Sequence, residues 1–297
     1  MEKLFVIKIG GNVIDNNASL QTFLLDFAQI RAKKILVHGG GKIATKIGEQ
    51  LGIESKYING RRITDEATID LVTMVYGGLV NKKIVAKLQA LNCNAIGLTG
   101  ADANILPATK RPIIYTSLDD ISEDGIQSTN IAKETSSLNN SPSGDKVRGG
   151  IDYGFAGDIN SETLSTKNLQ LFLDNDLTPI LAPLTHDGNG QILNTNADTI
   201  ASSLAVALSK QYDVRLIYCF EKKGILENIE DENSVIPLIT KEKYQQLLQE
   251  KKLFHGILPK IDNAFAAIDN GVNEVLIGDA KDLLQNITEH TIGTLIK

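Results

Sequence analysis

The sequence predicts an α/β fold on an open, largely parallel sheet, and three observations carry that prediction. Short apolar runs alternate with segments of helical period along most of the 297 residues. The runs are apolar on both alternating faces, as in strands covered by helices on each side. Glycine clusters follow two of them at once, Gly10-Gly11 and Gly39-Gly40-Gly41.

The first run, from Leu4 to Gly11, is apolar at Leu4, Phe5, Val6, Ile7 and Ile9 and carries one charge, Lys8. An ammonium in a buried strand is costly unless an anion partners it or it reaches past the strand end. Ser19 is placed to cap a helix running to Arg31, with Leu20, Phe23, Leu24 and Phe27 at helical spacing. Ile35 to His38 reads as the second strand and Lys42 to Leu51 as the helix after it. Thr64 is placed to cap a long helical stretch from Glu66 to Leu91, with a break expected at Gly77 and Gly78. Strands follow at Ala95 to Thr99, Pro179 to Ala182, Val214 to Phe220 and Glu274 to Ile277, with helices at Ala197 to Leu208, Thr240 to Glu250 and Leu258 to Asn270, the last closed by Gly271. Repeated strand–helix–strand units of this kind build a parallel sheet with right-handed crossovers. The segment 113–150, rich in Ser, Asn, Asp, Thr and Gly, lacks a sustained period and reads as a surface insertion, either flexible or a loose hairpin.

Composition excludes several classes. With 42% hydrophobic and 22% charged residues the chain can bury a large core without staples. A net charge of −6 and a pI near 5.3 argue against nucleic acid as a partner. Cys93 and Cys219 are far apart and lack metal-ligand spacing, so both are expected in the core, with no protein-ligated metal. The first strand begins by Leu4 and no stretch approaches roughly 20 apolar residues, so neither a secretory leader nor a membrane span is expected and a cytoplasmic location is.

A lysine at one strand end and glycine turns after two strands point to an anion held above the sheet, phosphate first. Two common nucleotide motifs compete for the glycine triplet. Gly39-x-Gly41-x-x-Ala44 follows a strand and opens a helix, as in a dinucleotide-binding fingerprint, but about 20 residues on stand Asn59, Gly60, Arg61 and Arg62 in place of the acidic residue. A P-loop fails because Lys42 is followed by Ile43 and no glycine stands five residues before Gly41.

Five further stretches occur in a recognisable order: LFVIKIGGN, LVHGGGK (Leu36 to Lys42), NGRRIT (Asn59 to Thr64), LNTNAD (Leu193 to Asp198) and ILPKIDNA (Ile257 to Ala264). Together they make the chain resemble the N-acetylglutamate kinases of the amino acid kinase family, over nearly its whole length except 113–150. The resemblance implies an open αβα sandwich of two lobes: residues 1–184, binding the amino acid and forming a homodimer, and residues 185–297, binding ATP. It implies MgATP-dependent phosphorylation of the γ-carboxylate of an N-acylated glutamate in arginine biosynthesis. By the same resemblance, Lys8 and Lys260 stabilise the transferring phosphoryl group and Asp198 orients both through ion pairs. Gly10, Gly11 and Gly39 offer N–H groups to phosphate, while Gly40, Gly41, Arg62, Asn194 and Asn196 hold the acylated amino acid. The chemistry suits these residue types, because phosphoryl transfer to a carboxylate is mostly positioning plus charge neutralisation.

The chain departs from the pattern in places. Arg61 stands beside Arg62 where an apolar residue is common; FHGILPK, with His255 and Pro259, precedes Lys260; and the strand end YCFEKKGIL (Tyr218 to Leu226) has Glu221, Lys222 and Lys223 where an acidic residue before glycine is usual. No helix precedes the first strand, from which an arginine-insensitive dimer is expected. Three alternatives stand beside the leading reading. One is an N-succinylglutamate kinase, whose extra carboxylate calls for a further cation such as Arg61 or Lys56; the others are a dinucleotide-dependent oxidoreductase and a non-catalytic amino-acid-binding regulator.

Overall fold

The structure is a computed structural model of the chain, described here for residues 1–58, 60–115, 150–162, 164–228, 230–250, 253 and 257–297. Among these residues one eight-stranded sheet dominates. Its strands are β1 (Glu2–Ile9), β2 (Lys33–His38), β3 (Ala95–Leu98), β4 (Thr178–Leu181), β5 (Tyr212–Phe220), β6 (Leu238–Ile239), β7 (Glu274–Asp279) and β8 (Thr294–Ile296). Their spatial order is β6-β8-β7-β5-β1-β2-β4-β3. From β7 across to β3 every pairing is parallel, while β8 runs antiparallel to β7 and carries β6 parallel to itself at the edge.

The helices are α1 (Gly11–Asp15), α2 (Asn17–Gln29), α3 (Gly41–Gln50), α4 (Glu66–Val72), α5 (Asn81–Ala90), α6 (Lys167–Asp174), α7 (Ala197–Leu208), α8 (Lys241–Gln249), α9 (Leu258–Asp269) and α10 (Leu283–Asn286). The period-two alternation of β1 divides the core between the two faces of the sheet. Leu4 and Val6 join a cluster with Ile200 and Leu204 of α7 and Ile261 and Ala264 of α9. Phe5, Ile7 and Ile9 join the opposite cluster, with Phe23 and Phe27 of α2, Val72 of α4 and Ile84 of α5. Cys93 and Cys219 are buried free thiols, as expected, and burial pushes Cys219 up to about 12.

Helix starts differ from the sequence reading by a few residues, each for a local reason. Asn16, not Ser19, caps α2: its side chain accepts from the Ser19 N–H at 3.0 Å, which puts Ser19 inside the first turn. Asp65, not Thr64, caps α4, accepting from the Thr68 N–H at 2.9 Å; Thr64 is fully buried and bonded elsewhere. No break occurs at Gly77 and Gly78. The chain instead passes from α4 to α5 through a π-helix, Thr73–Val80, widened by a residue per turn rather than interrupted. The segment 113–150 lies largely outside the described residues; at its ends Ile114–Tyr115 pairs antiparallel with Gly150–Ile151.

β1 sits at the middle of the sheet, with β2 on one side and β5 on the other, both parallel to it. Connections therefore leave the carboxyl ends of β1 and its two neighbours in opposite directions, and the crevice at such a switch point is where ligands bind in open α/β sheets.

Candidate active site

The glycine turns after β1 and β2 pack backbone against backbone above that crevice. Gly39 N–H donates to the Ile9 carbonyl at 3.0 Å, and a Cβ on Gly39 would stand 3.4 Å from the Gly11 nitrogen. Gly40 has φ 153°, and a Cβ there would meet the Tyr76 ring at 3.0 Å, so this turn admits only glycine. Gly41 opens α3, whose first turn has no side-chain cap, leaving N–H groups directed at the crevice. α1 likewise starts uncapped after Gly10.

Lys8 has the anionic partner its burial demands. It lies on the Leu4–Val6 face of β1 at the carboxyl end, under the start of α7, and its Nζ sits 2.8 Å from Asp198 Oδ1 in the first turn of that helix. Lys260 stands in the first turn of α9, which starts with Pro259 and no side-chain cap. Burial pulls its ammonium down from the ordinary lysine range; Asp198 opposes that and Lys8 adds to it. No ion pair joins Lys260 to Asp198 among the described residues, so the expectation of two salt bridges holds for Lys8 alone. The Lys260 Nζ lies 3.7 Å from the centroid of the Phe220 ring instead.

Two cavities meet at the glycine turns, and both cations line the larger one. One, of about 210 Å³, is lined by Gly39, Gly40, Gly41, Arg62, Asn194 and Asn196, with Tyr57, Tyr76, Tyr153 and Arg111 completing its wall. The other, of about 560 Å³, is lined by Lys8, Gly10, Gly11, Gly41, Phe220, Glu221, Lys222 and Lys260. Gly41 borders both, and of the two basic residues beside it Arg62 borders the first and Lys42 the second.

Arg62 is buried and fixed by its surroundings: it donates to the Gly41 carbonyl at 3.0 Å, to Thr45 Oγ1 at 2.9 Å and to Ser55 Oγ, with Tyr57 4.8 Å beneath its guanidinium. Arg61 is exposed at the mouth of the same cavity. Asn194 donates to Thr64 Oγ1 at 3.0 Å from the end of a short strand, and Asn196 caps α7 by accepting from the N–H groups of Asp198 and Thr199. The sequence-predicted residues thus come together around one crevice. His255 lies outside the described residues.

Sequence reasoning missed the aromatic and polar wall. Tyr76 is placed by the π-helix, whose two glycines predict a break instead. Arg111 pairs with Asp158 through its Nε at 3.1 and 3.0 Å, a contact between residues flanking the insertion that no spacing foretells. His38, last in β2, is fully buried: its Nδ1 is 2.7 Å from the Gly39 carbonyl and its Nε2 is 3.1 Å from Asn81 Nδ2. Burial lowers it to about 4, so the ring is neutral, with Nδ1–H donating to Gly39 and Nε2 accepting from Asn81.

Residues 3–279 match the model of the amino acid kinase family. The chain belongs to the amino acid kinase family. Within that family it is 48% identical to the acetylglutamate kinase of Cytophaga hutchinsonii over 99% of this chain and 98% of that one. It is 47% identical to the acetylglutamate kinase of Bacteroides thetaiotaomicron over 96% of each. Among solved structures, the carbamate kinase of Giardia lamblia bound to AMP-PNP superposes with a TM-score of 0.64 at 13% identity, covering 99% of this chain and 98% of that chain. At that identity the likeness concerns the fold alone. Membership makes the chain a phosphotransferase with ATP as co-substrate, built on the mostly parallel sheet described above. Among the described residues no helix is long and apolar enough to cross a membrane, and no cluster of three or more His, Cys, Asp and Glu could hold a metal ion.

Proposed function

We propose that this protein transfers the γ-phosphoryl group of ATP to the γ-carboxylate of N-acetyl-L-glutamate, the acid-activating step of arginine biosynthesis. The observation that carries the reading is the placement of Lys8 and Lys260 in the wall of the larger cavity, which shares Gly41 with the smaller one edged by Arg62. The near-full-length identity to two acetylglutamate kinases supports the choice of acid.

The acid occupies the 210 Å³ cavity and the nucleotide the 560 Å³ cavity. Arg62 grips a substrate carboxylate, while Gly40, Gly41, Asn194 and Asn196 hold the rest without adding charge. Gly10 and Gly11 supply N–H groups to the phosphate oxygens, whereas the Gly39 N–H, also expected there, is taken by the Ile9 carbonyl and Gly39 lines the acid cavity. A γ-carboxylate oxygen attacks the γ-phosphorus in line, the new O–P bond forms as the bond to ADP breaks, and no protein nucleophile takes part. Attack joins two anions, so the charge on the transferring group must be offset from both sides, by Lys8 from β1 and by Lys260 from α9. Asp198 pairs with Lys8 and aims it. Mg²⁺ enters with the nucleotide and neutralises phosphate charge when bound.

The lobes 1–184 and 185–297 hold mainly the acid and mainly the nucleotide, and each reaches across, with Asn194 and Asn196 on the acid cavity and Lys8, Gly10 and Gly11 on the nucleotide cavity; the boundary falls within the hairpin Leu184–His186/Ile192–Asn194, which continues directly to Asn196 and α7. We further propose a homodimeric, cytoplasmic enzyme. The experiment is MgATP-dependent ADP release with N-acetylglutamate, N-succinylglutamate and free glutamate in parallel. Preferred turnover of the acetyl compound is expected. Preference for the succinyl compound would reassign the acid, and no turnover with any of the three would overturn the reading.

A further inference from the structure

The strand end that departs from the family pattern, YCFEKKGIL, places an aromatic ring where the two cations meet. In the β1–β5 register Lys8 lies beside Tyr218, so both side chains leave the same face of the sheet, and the alternation carries Phe220 to that face one step beyond the last paired residue. That face is covered by α7 and α9, whose first turns hold Asp198 and Lys260. The result is a group of three charges and one ring. Lys260 Nζ lies 3.7 Å and Lys8 Nζ 5.1 Å from the Phe220 centroid, and Tyr218 stacks on Phe220 with centroids 6.3 Å apart.

We infer that Phe220 is a positioning residue for phosphoryl transfer, a shared cation–π seat that holds the Lys8 and Lys260 ammonium groups together until the phosphoryl group arrives. The inference rests on the kinase reading of this site. Two ammonium groups in a half-desolvated crevice repel, and Asp198 is committed to Lys8 at 2.8 Å. Lys260 has no carboxylate partner among the described residues. A ring within about 6 Å attracts a cation through its quadrupole and is strongest when water is excluded. A carboxylate at position 220 would attract both lysines more strongly, but it would neutralise them and compete with the phosphate oxygens. The ring attracts without a formal charge, so the γ-phosphoryl group can draw the ammonium groups away from it.

The test separates ring electrostatics from ring shape. Replacing Phe220 with mono-, di- and trifluorinated phenylalanine weakens the quadrupole step by step while nearly preserving volume. A progressive fall in kcat, reaching about tenfold in the trifluorinated protein with KM for the acid little changed, is expected. Phe220→Leu should show a similar loss and Phe220→Trp should retain activity. Constant kcat across the fluorinated series would overturn the proposal, because fluorination moves the electrostatics alone. A readout independent of turnover is the Lys260 ε-methylene proton resonance in the ligand-free protein. Ring current from Phe220 should shift it upfield, and the shift should vanish in Phe220→Leu; an unshifted resonance in the wild type would also overturn the proposal. If the wild type turned over none of the acids, the kinase reading would fail, and the resonance would still report on the seat.

Discussion

Replacing Lys8 with methionine tests the centre of the mechanism. Methionine keeps the length and apolar stem of lysine, so the rungs of β1 with Val37 and Tyr218 persist and only the ammonium is lost. Removing one preorganised group aimed at developing charge costs about 2.7–4 kcal/mol of transition-state stabilisation, which lowers kcat by about 10²–10³. The fold loses less. Asp198 is left without its partner; the Oδ1 that faced Lys8 is buried, but the side chain as a whole is 26% exposed, so water can hydrate the rest of the carboxylate. The penalty should be about 1–2 kcal/mol, below the 3–5 kcal/mol of a fully buried orphan charge. The assay is steady-state ADP release with acid and ATP varied independently, beside a thermal melt. A kcat within about threefold of wild type would refute the role given to Lys8, and unfolding at the assay temperature would refute the small cost assigned to the fold.

Arg62→Ala should raise KM for the acid by about 10–100-fold, the loss of a charged hydrogen-bonding partner, with KM for ATP nearly unchanged; equal loss for both substrates would reassign Arg62 to the frame of the crevice. Gly40→Ala should destabilise the fold by about 1–3 kcal/mol from its φ of 153°, and further from the 3.0 Å approach to Tyr76. Gly52→Ala, at φ 74° with open space around it, carries the backbone strain alone, so equal melting points for the two variants would remove the Tyr76 contact from the account. For His38, the unfolded chain takes up a proton near 6.5 and the folded one only near 4, so the unfolded state binds more protons between those values. Stability is therefore full above pH 6.5 and falls by on the order of 3 kcal/mol as pH drops to 4. His38→Gln should flatten that limb in urea titrations, and an unchanged slope would assign the acid sensitivity to other groups.

The fold was legible wherever one rule of local chemistry decided the outcome. Two-faced apolar runs marked β1, β2 and β5, and Gly271, at φ 103°, closed α9 as its place in the sequence predicts. Chemistry-bearing residues were legible for a similar reason: Lys8 violates its strand, and a violation of local consistency marks function. Residues read by non-local contact escaped. Thr64 looked like a cap because hydroxyl residues before acidic ones usually are, yet its hydroxyl accepts from Asn194, 130 positions away. Gly77 and Gly78 looked like a break because propensity penalises glycine in helices. Packing decided otherwise: a Cβ on Gly77 would approach Thr99 at 3.3 Å and Leu184 at 3.4 Å, so the glycine lets this turn lie close against neighbouring elements.

That close approach connects the π-helix to the chemistry. Widening the helix between α4 and α5 carries Tyr76 to the Gly40 turn, while Asn81, the first residue of α5, reaches back beneath the sheet to His38 and to the Ile180 carbonyl at 2.9 Å. Gly97 completes the arrangement, since a Cβ there would overlap the Asn81 Oδ1 at 2.0 Å. A neutral His38 then has one remaining donor, and it is spent on the Gly39 carbonyl, which orients the peptide leading into Gly40 and the open N–H groups of α3. An anion-binding turn made of three glycines has no side chains with which to hold its own shape, and backbone freedom is greatest there. The rigidity must come from outside the turn, from Tyr76 packed on one side and the His38–Asn81 pair on the other. Three consecutive glycines can therefore serve as a preorganised site only because the long helical stretch from Glu66 to Ala90 is wound as it is.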